Sequence, residues 1–150
     1  ELRKKFLKAT PAIKKLQQSV KNLLSTYNVE MRQREWKTRY LKGLDGRLLY
    51  TRSIHSALNL LLQSAGAIVC KYWIVRTEER LLNLGLDHGK DFQLMAWIHD
   101  EMQIACRTEG IAEIVIKEAQ QAMRDTQHYF NFRCQLDTEG KIGKNWADCH

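Results

Sequence analysis

The chain has 150 residues and a mass of 17.6 kDa, enough for one domain with a modest hydrophobic core. Hydrophobic residues make up 44% of it and charged residues 27%, which is ordinary for a globular protein, and no apolar run has the length of a membrane span or a signal peptide. The net charge of +7 is unevenly distributed: residues 1–40 hold eleven Lys and Arg against three acids, and the rest is close to neutral. This asymmetry suits binding of a polyanion or, equally, a solubilising helical surface.

The first elements are predicted to be helical. Residues 1–9 are expected to end one helix, and residues 11–26 to form a basic amphipathic one, because Thr10 before Pro11 is a typical helix start. Apolar residues then recur at helical spacing. Residues 27–42 are polar, with Trp36 and Tyr40 among Arg32, Arg34, Lys37 and Arg39.

A tight turn and a long helix follow. Asp45-Gly46 predicts the turn because Gly accepts positive φ, and a strand is expected at 47–52. Residues 54–83 are predicted to form one helix that stops near Gly85. Its predicted apolar stripe comprises Leu58, Leu61, Leu62, Ala65, Val69 and Tyr72.

In the last third of the chain, the sequence predicts a β-hairpin from Leu94–Ile98 and Met102–Cys106, then a helix at 109–127. Most of the following residues are expected on the buried side of this helix: Ile111, Ile114, Val115, Glu118, Ala119, Ala122 and Met123. Phe132–Asp137 is a further strand candidate, and a loop at 146–150 ends the chain. The order of elements predicts an α+β fold with helices on one face of an antiparallel sheet.

The cysteines argue against a zinc site or a disulfide framework. No two of them lie at the short spacing of a zinc site. Cys70 and Cys106 fall among apolar residues and are interpreted as core thiols. These features favour a reducing, intracellular compartment. The four are Cys70, Cys106, Cys134 and Cys149.

His99-Asp100-Glu101 separates the two predicted hairpin strands. A plain tight turn favours Asn-Gly or Asp-Gly, whereas this one has an imidazole and two carboxylates. Neighbouring carboxylates repel each other, and a divalent cation offsets that repulsion. Mg²⁺ prefers one or two carboxylates together with phosphate oxygens and water. An ordinary solvated acidic turn is the competing interpretation.

A second polar set lies on the long predicted helix. His55, Asn59 and Gln63 are four residues apart and share one helix face, with Arg52 just before them. All four side chains can donate hydrogen bonds. Such donors suit the minor groove of DNA, where every base pair offers N3 or O2 acceptors. A merely solvated helix face is the alternative.

Four motifs in order resemble family A (DNA polymerase I type) DNA polymerases, and within that family the replicative polymerases of T-odd-type bacteriophages. The resemblance covers nearly the whole chain. The motifs are Gly43–Arg47, Arg52–Ala67, Trp97–Glu101, and Asn145-Trp146 with His150. From the terminal match we expect that His150 ends the parent protein. Because the chain starts at Glu1 rather than Met, we also expect that it was cut or processed from a longer one.

The resemblance implies roles for the matched residues. Asp100 resembles the second catalytic aspartate of the palm, a ligand of Mg²⁺, and Glu101 the neighbouring carboxylate of secondary role. His99 resembles the residue that approaches the primer terminus. Asn59 and Gln63 resemble palm-helix residues at the minor-groove side of the new base pair. His55 stands where bacterial members carry Arg, so a phosphate or minor-groove role there is less secure.

The resemblance also implies an organisation: an α+β fold with an antiparallel palm-type sheet, part of the fingers (basic, helical) at 1–42 and the carboxyl-terminal part of the palm at 43–150. The first catalytic aspartate and the nucleotide-clamping fingers helix belong to an upstream portion. We therefore expect nucleotidyl transfer with a two-metal Mg²⁺ mechanism only together with that portion. The implied partners are primer–template DNA and dNTP, without a membrane, in the cytoplasm of an infected bacterial host.

Two other interpretations stay open. In the first, the chain is a catalytically inactive DNA-binding remnant, or a complementing subunit of a split polymerase. It would bind DNA through residues 1–40 and the polar helix face. Alternatively, it is a structural α+β domain whose hairpin acids are solvated.

Overall fold

The computed structural model describes residues 2–149, so the expectations about Glu1 and His150 lie outside the described residues. The chain divides into two compact units, one ending at Gly66 and the other beginning at Ala67. The long helix α3, Ala57–Asn83, runs through this division. The division into fingers and palm parts at residues 42/43 stays a prediction.

The first unit begins with two helices, α1 (Leu2–Ala9) and α2 (Pro11–Leu24). Thr10 is the N-cap of α2 and Pro11 its first residue, as the sequence predicts. Residues 25–42 are not helical, which corrects the prediction of a helical 1–42. They form the hairpin of β1 (Ser25–Asn28) and β2 (Gln33–Trp36), followed by a third strand.

Local chemistry explains this first hairpin. Thr26 and Tyr27 favour an extended backbone. Asn28 then accepts a hydrogen bond from the Met31 backbone N–H at 3.1 Å, and Arg32 takes a φ of 50°. An Asn side chain that binds the backbone in this way stabilises a turn rather than a helix.

The second hairpin pairs β3 (Tyr40–Lys42) with β4 (Leu48–Tyr50). Gly46 has the predicted positive φ, 85°, and the Gly43 N–H donates to the Arg47 carbonyl at 2.8 Å. The core of this unit joins α2, β3 and the start of α3. Its buried residues are Val20, Leu24, Leu41 and Ala57.

Helix α3 begins three residues after its predicted start and ends as predicted. Gly85 has a φ of 80°, and the Leu86 N–H donates to the Leu81 carbonyl at 3.2 Å, a typical glycine-terminated helix end. The predicted apolar stripe is wrong at Leu62, which is 55% exposed. The buried residues of α3 are Ala57, Trp73, Thr77 and Leu81.

Among residues 2–149, α3 alone is long and apolar enough to cross a membrane, with a mean hydropathy of 1.4 over its most apolar stretch, of which 11% is buried. This corrects the prediction that no run has that length. Length and composition are a weak criterion for a span, because core helices also meet it. The C-terminal half of α3 packs on the second unit's helix through Arg80, whose Nε donates to Glu118 at 2.7 Å.

The second unit packs a hairpin and a helix against the C-terminal half of α3. The hairpin consists of β5 (Phe92–Ile98) and β6 (Glu101–Cys106), and the helix α4 spans Glu109–Tyr129. Thr108 caps α4 by accepting a hydrogen bond from the Ile111 N–H at 3.3 Å. Buried residues include Val115, Ala119, Ala122 and Met123. The predicted inner side is wrong at Ile114, which is 39% exposed.

Trp73 joins α3 to α4. Its indole Nε1 donates to the Ala119 carbonyl at 2.8 Å, within a cluster that also buries Met123. A second cluster joins Leu81, Phe92 and Val115. Both clusters hold the hairpin and α4 on one side of α3, so the acidic turn stands on a packed base.

The segment 132–137 is not a strand, contrary to the prediction. Its Leu136 N–H donates to the Gln127 side chain at 2.7 Å instead of to another strand. The chain end also differs from the predicted loop, because Trp146–Cys149 forms a single helical turn, α5.

The predicted α+β class is confirmed: 49% of the chain is helical and 19% is strand. In the described residues the strands form three separate antiparallel pairs, β1–β2, β3–β4 and β5–β6, rather than one sheet. Long helices pack on the pair that carries the acidic motif, as predicted.

Candidate functional site

The acidic motif lies at the tip of the β5–β6 hairpin. Ile98 pairs with Glu101, so the turn has two residues, His99 and Asp100, rather than the three that the sequence predicted. His99 has a φ of 56°, a value that non-glycine residues adopt rarely. His99 and Asp100 are exposed, whereas Glu101 is half-buried as the first residue of β6.

A β-bulge determines which side chains accompany these acids. Leu94 pairs with Ile104 and Ala96 with Gln103, so the register shifts at Met95. The extra residue reverses the alternation along β5. As a result Trp97 lies beside Met102, while Ala96 and Ile98 lie beside Gln103 and Glu101. The inner face carries Phe92, Leu94, Trp97, Met102, Ile104 and Cys106; the outer face carries Gln93, Ala96, Ile98, Glu101, Gln103 and Ala105.

The tip lies close to α3. Cys70 of α3 and Asp100 of the tip line the same groove. Burial raises the pKa of the Cys70 thiol, and the negative charge of Asp100 raises it further. Burial alone raises the pKa of the Cys106 thiol. Both cysteines are half-buried, and all four are free thiols.

Two further side chains lie behind the tip. The Lys71 ammonium lies 5.8 Å from the centre of the Trp97 ring, within range of a cation–π interaction. Trp97 Nε1 is buried and has no hydrogen-bond partner among the described residues. An orphaned indole N–H is uncommon and points to an acceptor outside this chain or to a bound water.

A wide groove of about 1020 Å³ opens beside the tip. One wall is Asp100, Glu101 and β6, another is α4, and the third is the C-terminal segment with Lys141 and Lys144. The acids of the tip therefore face an open space bounded on three sides.

The donor set at the tip fits a divalent cation in part. Carboxylate oxygens are the ligands that Mg²⁺ prefers, and the carboxylates of Asp100 and Glu101 belong to consecutive residues. Between residues 2 and 149 the structure brings no group of three or more His, Cys, Asp or Glu side chains together in a metal-binding arrangement.

A second set of polar residues lies in the first unit. Asn59 and Gln63 lie on α3 and are exposed, one turn apart on one face. His55 is also exposed but lies in the turn before α3, which corrects its predicted place within the helix. Arg52 is exposed in the preceding loop. Each of these four side chains is accessible to a ligand.

Sequence reasoning missed Gln103 and Cys70 as neighbours of the acids. Gln103 Nε2 donates a hydrogen bond to Glu101 Oε1. The signal was present, because residues two apart in a strand share a face. The proximity of Cys70 to Asp100 had no sequence signal, since it depends on how α3 packs against the hairpin.

The model of DNA polymerase family A matches residues 1–148 of this chain. The DNA-directed DNA polymerase of Escherichia phage T7 is 56% identical to it over 155 residues, and that of Enterobacteria phage T3 is 57% identical over 155 residues; both matches cover the whole chain. The DNA-directed DNA polymerase of Escherichia phage Phieco32 is 30% identical over 125 residues, 74% of the chain. The chain spans 22% of the length of the T7 and T3 polymerases and 18% of that of Phieco32.

Proposed function

This chain belongs to DNA polymerase family A, and from that premise we propose that it is one part of a template-directed DNA polymerase, which transfers nucleotides from dNTP to a primer 3′ end. In this proposal it supplies a half of the catalytic palm and a portion of the fingers. The upstream portion of the polymerase supplies the rest of the active site.

The observation that carries the proposal is the hairpin tip. A two-residue turn presents Asp100 beside Glu101, on a base packed against α3 and α4, in a chain that the family model matches over 148 residues. A packed base fixes the two carboxylates relative to the groove. Fixed carboxylates are what a preorganised metal-binding half-site needs.

Asp100 and Glu101 would hold Mg²⁺, which neutralises charge on the reacting phosphate oxygens when it is bound. Two divalent ions carry about +4, and this pair offers at most about −2. The pair alone therefore binds Mg²⁺ weakly, and a further carboxylate from the upstream portion is required. We expect the 150-residue chain by itself not to polymerise.

The remaining site residues act on DNA. His99, at the apex of the turn, approaches the primer terminus. The amides of Asn59 and Gln63 donate to the minor-groove acceptors that all base pairs share, which suits an enzyme indifferent to sequence. Arg52 and His55 contact the DNA backbone or the minor groove in front of them.

The upstream portion also has a packing role. The apolar surface of α3 is largely uncovered, since 11% of its most apolar stretch is buried. In the proposed polymerase this surface packs against protein rather than lipid, in the cytoplasm of an infected bacterial host. Covering it is favourable by about 25 cal/mol per Å² of apolar surface.

Primer extension tests the proposal. The chain is combined with the upstream portion of its polymerase, and extension of a labelled primer is measured with Mg²⁺ and dNTP. We expect activity from the combination and none from the chain alone. Asp100→Ala should lower the rate on the order of 10³-fold, because a metal ligand is lost.

Asp87→Ala is the matched control. Asp87 is an exposed aspartate of the same unit, paired with Lys90 at 3.1 Å and away from the tip, so its loss should leave the rate unchanged. Extension that survives Asp100→Ala in the combined enzyme would refute the proposal.

The uneven charge supports a second candidate, a DNA-binding remnant or complementing subunit without catalysis. Residues 1–40 carry a net charge of +8. This candidate predicts salt-dependent DNA binding by the chain alone with no requirement for Mg²⁺, and no extension in the combined enzyme.

A further inference from the structure

One face of the β1–β2 hairpin carries aromatic and basic side chains together. The register pairs Tyr27 with Arg34 and Ser25 with Trp36. Residues that pair directly, and residues two apart in one strand, lie on the same face. These four side chains therefore share one surface, which we call the aromatic face. The Arg34 guanidinium donates to Ser25 Oγ at 3.0 Å, as this placement requires.

Trp36 anchors the aromatic face to the core of the first unit. Its ring packs against the cluster that buries Leu24 and Leu41. The Arg39 guanidinium lies 4.4 Å from the centre of the same ring, a cation–π distance. Tyr27 is 56% exposed. The aromatic face thus holds one ring fixed to the core and a second ring open to solvent.

The charges of the hairpin are sorted between its two faces. Glu35, the acid of β2, pairs with Thr26 on the opposite face and accepts a hydrogen bond from Asn28 Nδ2 at 2.7 Å. Arg34 and Arg39 are exposed beside the aromatic rings. The aromatic face therefore presents positive charge to a ligand, and the carboxylate of Glu35 lies on the other side of the strands.

We propose that the aromatic face binds single-stranded DNA, with the Tyr27 ring stacked on an unpaired base and Arg34 and Arg39 against the neighbouring phosphates. The inference rests on the proposed function, in which the chain acts on DNA. Aromatic rings that stack on bases, set among cations that contact the backbone, are the usual means by which proteins hold single strands without regard to sequence.

The chemistry of this face favours a single strand over other polyanions. A duplex keeps its bases stacked on one another, which leaves mainly phosphates for the face to contact. An acidic peptide offers carboxylates to the arginines but no planar base to the Tyr27 ring. An unpaired strand supplies both the phosphates and the base.

Binding of a fluorescein-labelled oligothymidylate of about 12 nucleotides to the 150-residue chain, followed by fluorescence anisotropy, tests this inference. Tyr27→Leu removes the ring but keeps an apolar side chain, and it should weaken binding about tenfold. Tyr27→Phe keeps the ring and should bind within about twofold of the unchanged chain. Equal losses in both variants would assign the contact to the hydroxyl group rather than to stacking, which overturns the inference.

Tyr50→Leu is the matched control, because Tyr50 is a tyrosine of similar exposure, 53%, in the β3–β4 hairpin of the same unit. Its ring packs edge-on against Tyr40, with the ring centres 5.7 Å apart. Its loss should change the affinity by less than about twofold. Circular dichroism establishes that each variant is folded. Equal losses for Tyr27→Leu and Tyr50→Leu, or no loss for either, would contradict the proposed contact.

Competitors distinguish a single strand from other polyanions. Unlabelled oligothymidylate should displace the labelled strand at least about fivefold better than a duplex of the same length or polyglutamate. Equal competition by polyglutamate means that the face recognises charge alone, which also overturns the inference. The proposed function is read separately, from primer extension with Asp100→Ala. Loss of extension there, with no effect of Tyr27→Leu on oligothymidylate binding, would remove this inference and leave the proposed function standing.

Discussion

At the residue scale, the turn holds a histidine in a backbone conformation that favours glycine. His99 has a φ of 56° at the first position of a two-residue hairpin turn, where glycine is usual in one of the two common turn types. A non-glycine residue there costs on the order of 1 kcal/mol or more. Strain of this kind is typical of functional sites, which agrees with a role for the imidazole at the primer terminus.

His99→Gly should therefore stabilise the chain and impair the enzyme. The free energy of unfolding, measured by urea denaturation, should rise by about 0.5–1 kcal/mol, because glycine adopts this φ without strain. His99→Ala is the control, since it also removes the imidazole but keeps the Cβ, and it should give no gain. If His99→Gly is no more stable than His99→Ala, the turn is not strained.

Asp100→Asn should make Cys70 more reactive. The carboxylate raises the pKa of the Cys70 thiol, on top of the effect of burial, so its removal lowers that pKa and increases the thiolate fraction at pH 8. With Cys134 and Cys149 replaced by Ser, the alkylation rate of Cys70 by iodoacetamide should rise about two- to threefold.

Cys106 is the internal control for this experiment. Burial is the cause of its raised pKa, so Asp100→Asn should leave its alkylation rate unchanged. Equal acceleration at both cysteines would indicate loosening of the fold rather than loss of the charge, and no change at Cys70 would contradict the proximity of Asp100.

At the element scale, the C-terminal segment is held against α4 although it forms no strand. The Gln120 side chain donates to the Thr138 carbonyl at 3.3 Å, and Gln127 accepts from the Leu136 N–H. At Gly140 the backbone approaches Ile116 so closely that a Cβ would lie 2.5 Å from its side chain. Glycine is needed there for space. This contact keeps the third wall of the groove in place.

Gly140→Ala should destabilise the chain by about 1–3 kcal/mol, because the added methyl group overlaps a stiff β-branched side chain. Thermal or urea unfolding measures the loss. Ile116→Ala in the same chain should recover part of it by making room. Gly110→Ala is the matched control: it lies in the first turn of α4 with nothing within 4 Å of the new Cβ, and it should be neutral or stabilising by up to about 1 kcal/mol.

At the scale of the whole molecule, the positive charge and the proposed catalytic residues are separated along the chain. Residues 1–40 carry a net charge of +8, and the remaining residues −1. The acidic turn belongs to the second compact unit, and the basic helices and hairpin to the first. Attraction for DNA should therefore come mainly from the first unit.

The salt dependence of DNA binding tests this separation. Replacing Lys8, Lys14 and Lys15, which are exposed, with Gln should flatten the plot of log K against log salt by about two to three units, since each phosphate contact contributes about 0.9. Replacing Lys90, Lys117 and Arg124, which are also exposed, with Gln removes the same net charge from the second unit. That set should change the slope by less than about one. If both sets of replacements change the slope equally, DNA binding depends on net charge alone and not on the first unit.

The amino-acid sequence by itself determined the elements that depend on nearby residues. The start of α2 at Pro11, the turn at Gly46, the end of α3 before Gly85 and the β5–β6 hairpin are all as predicted. Capping, glycine conformation and side-chain periodicity act over a few residues, so the sequence displays them directly. The order of the motifs that identified the family can also be read directly from the sequence.

Only the tertiary structure decided the features that depend on distant partners. Phe132–Asp137 was predicted to be a strand, but no strand among residues 2–149 pairs with it, and the Gln127 side chain accepts the hydrogen bond of the Leu136 N–H instead. The bulge at Met95 and the joint lining of one groove by Asp100 and Cys70 likewise had no signal in the local sequence. A strand needs a second strand and a site needs converging elements, and neither partner can be read from the local sequence.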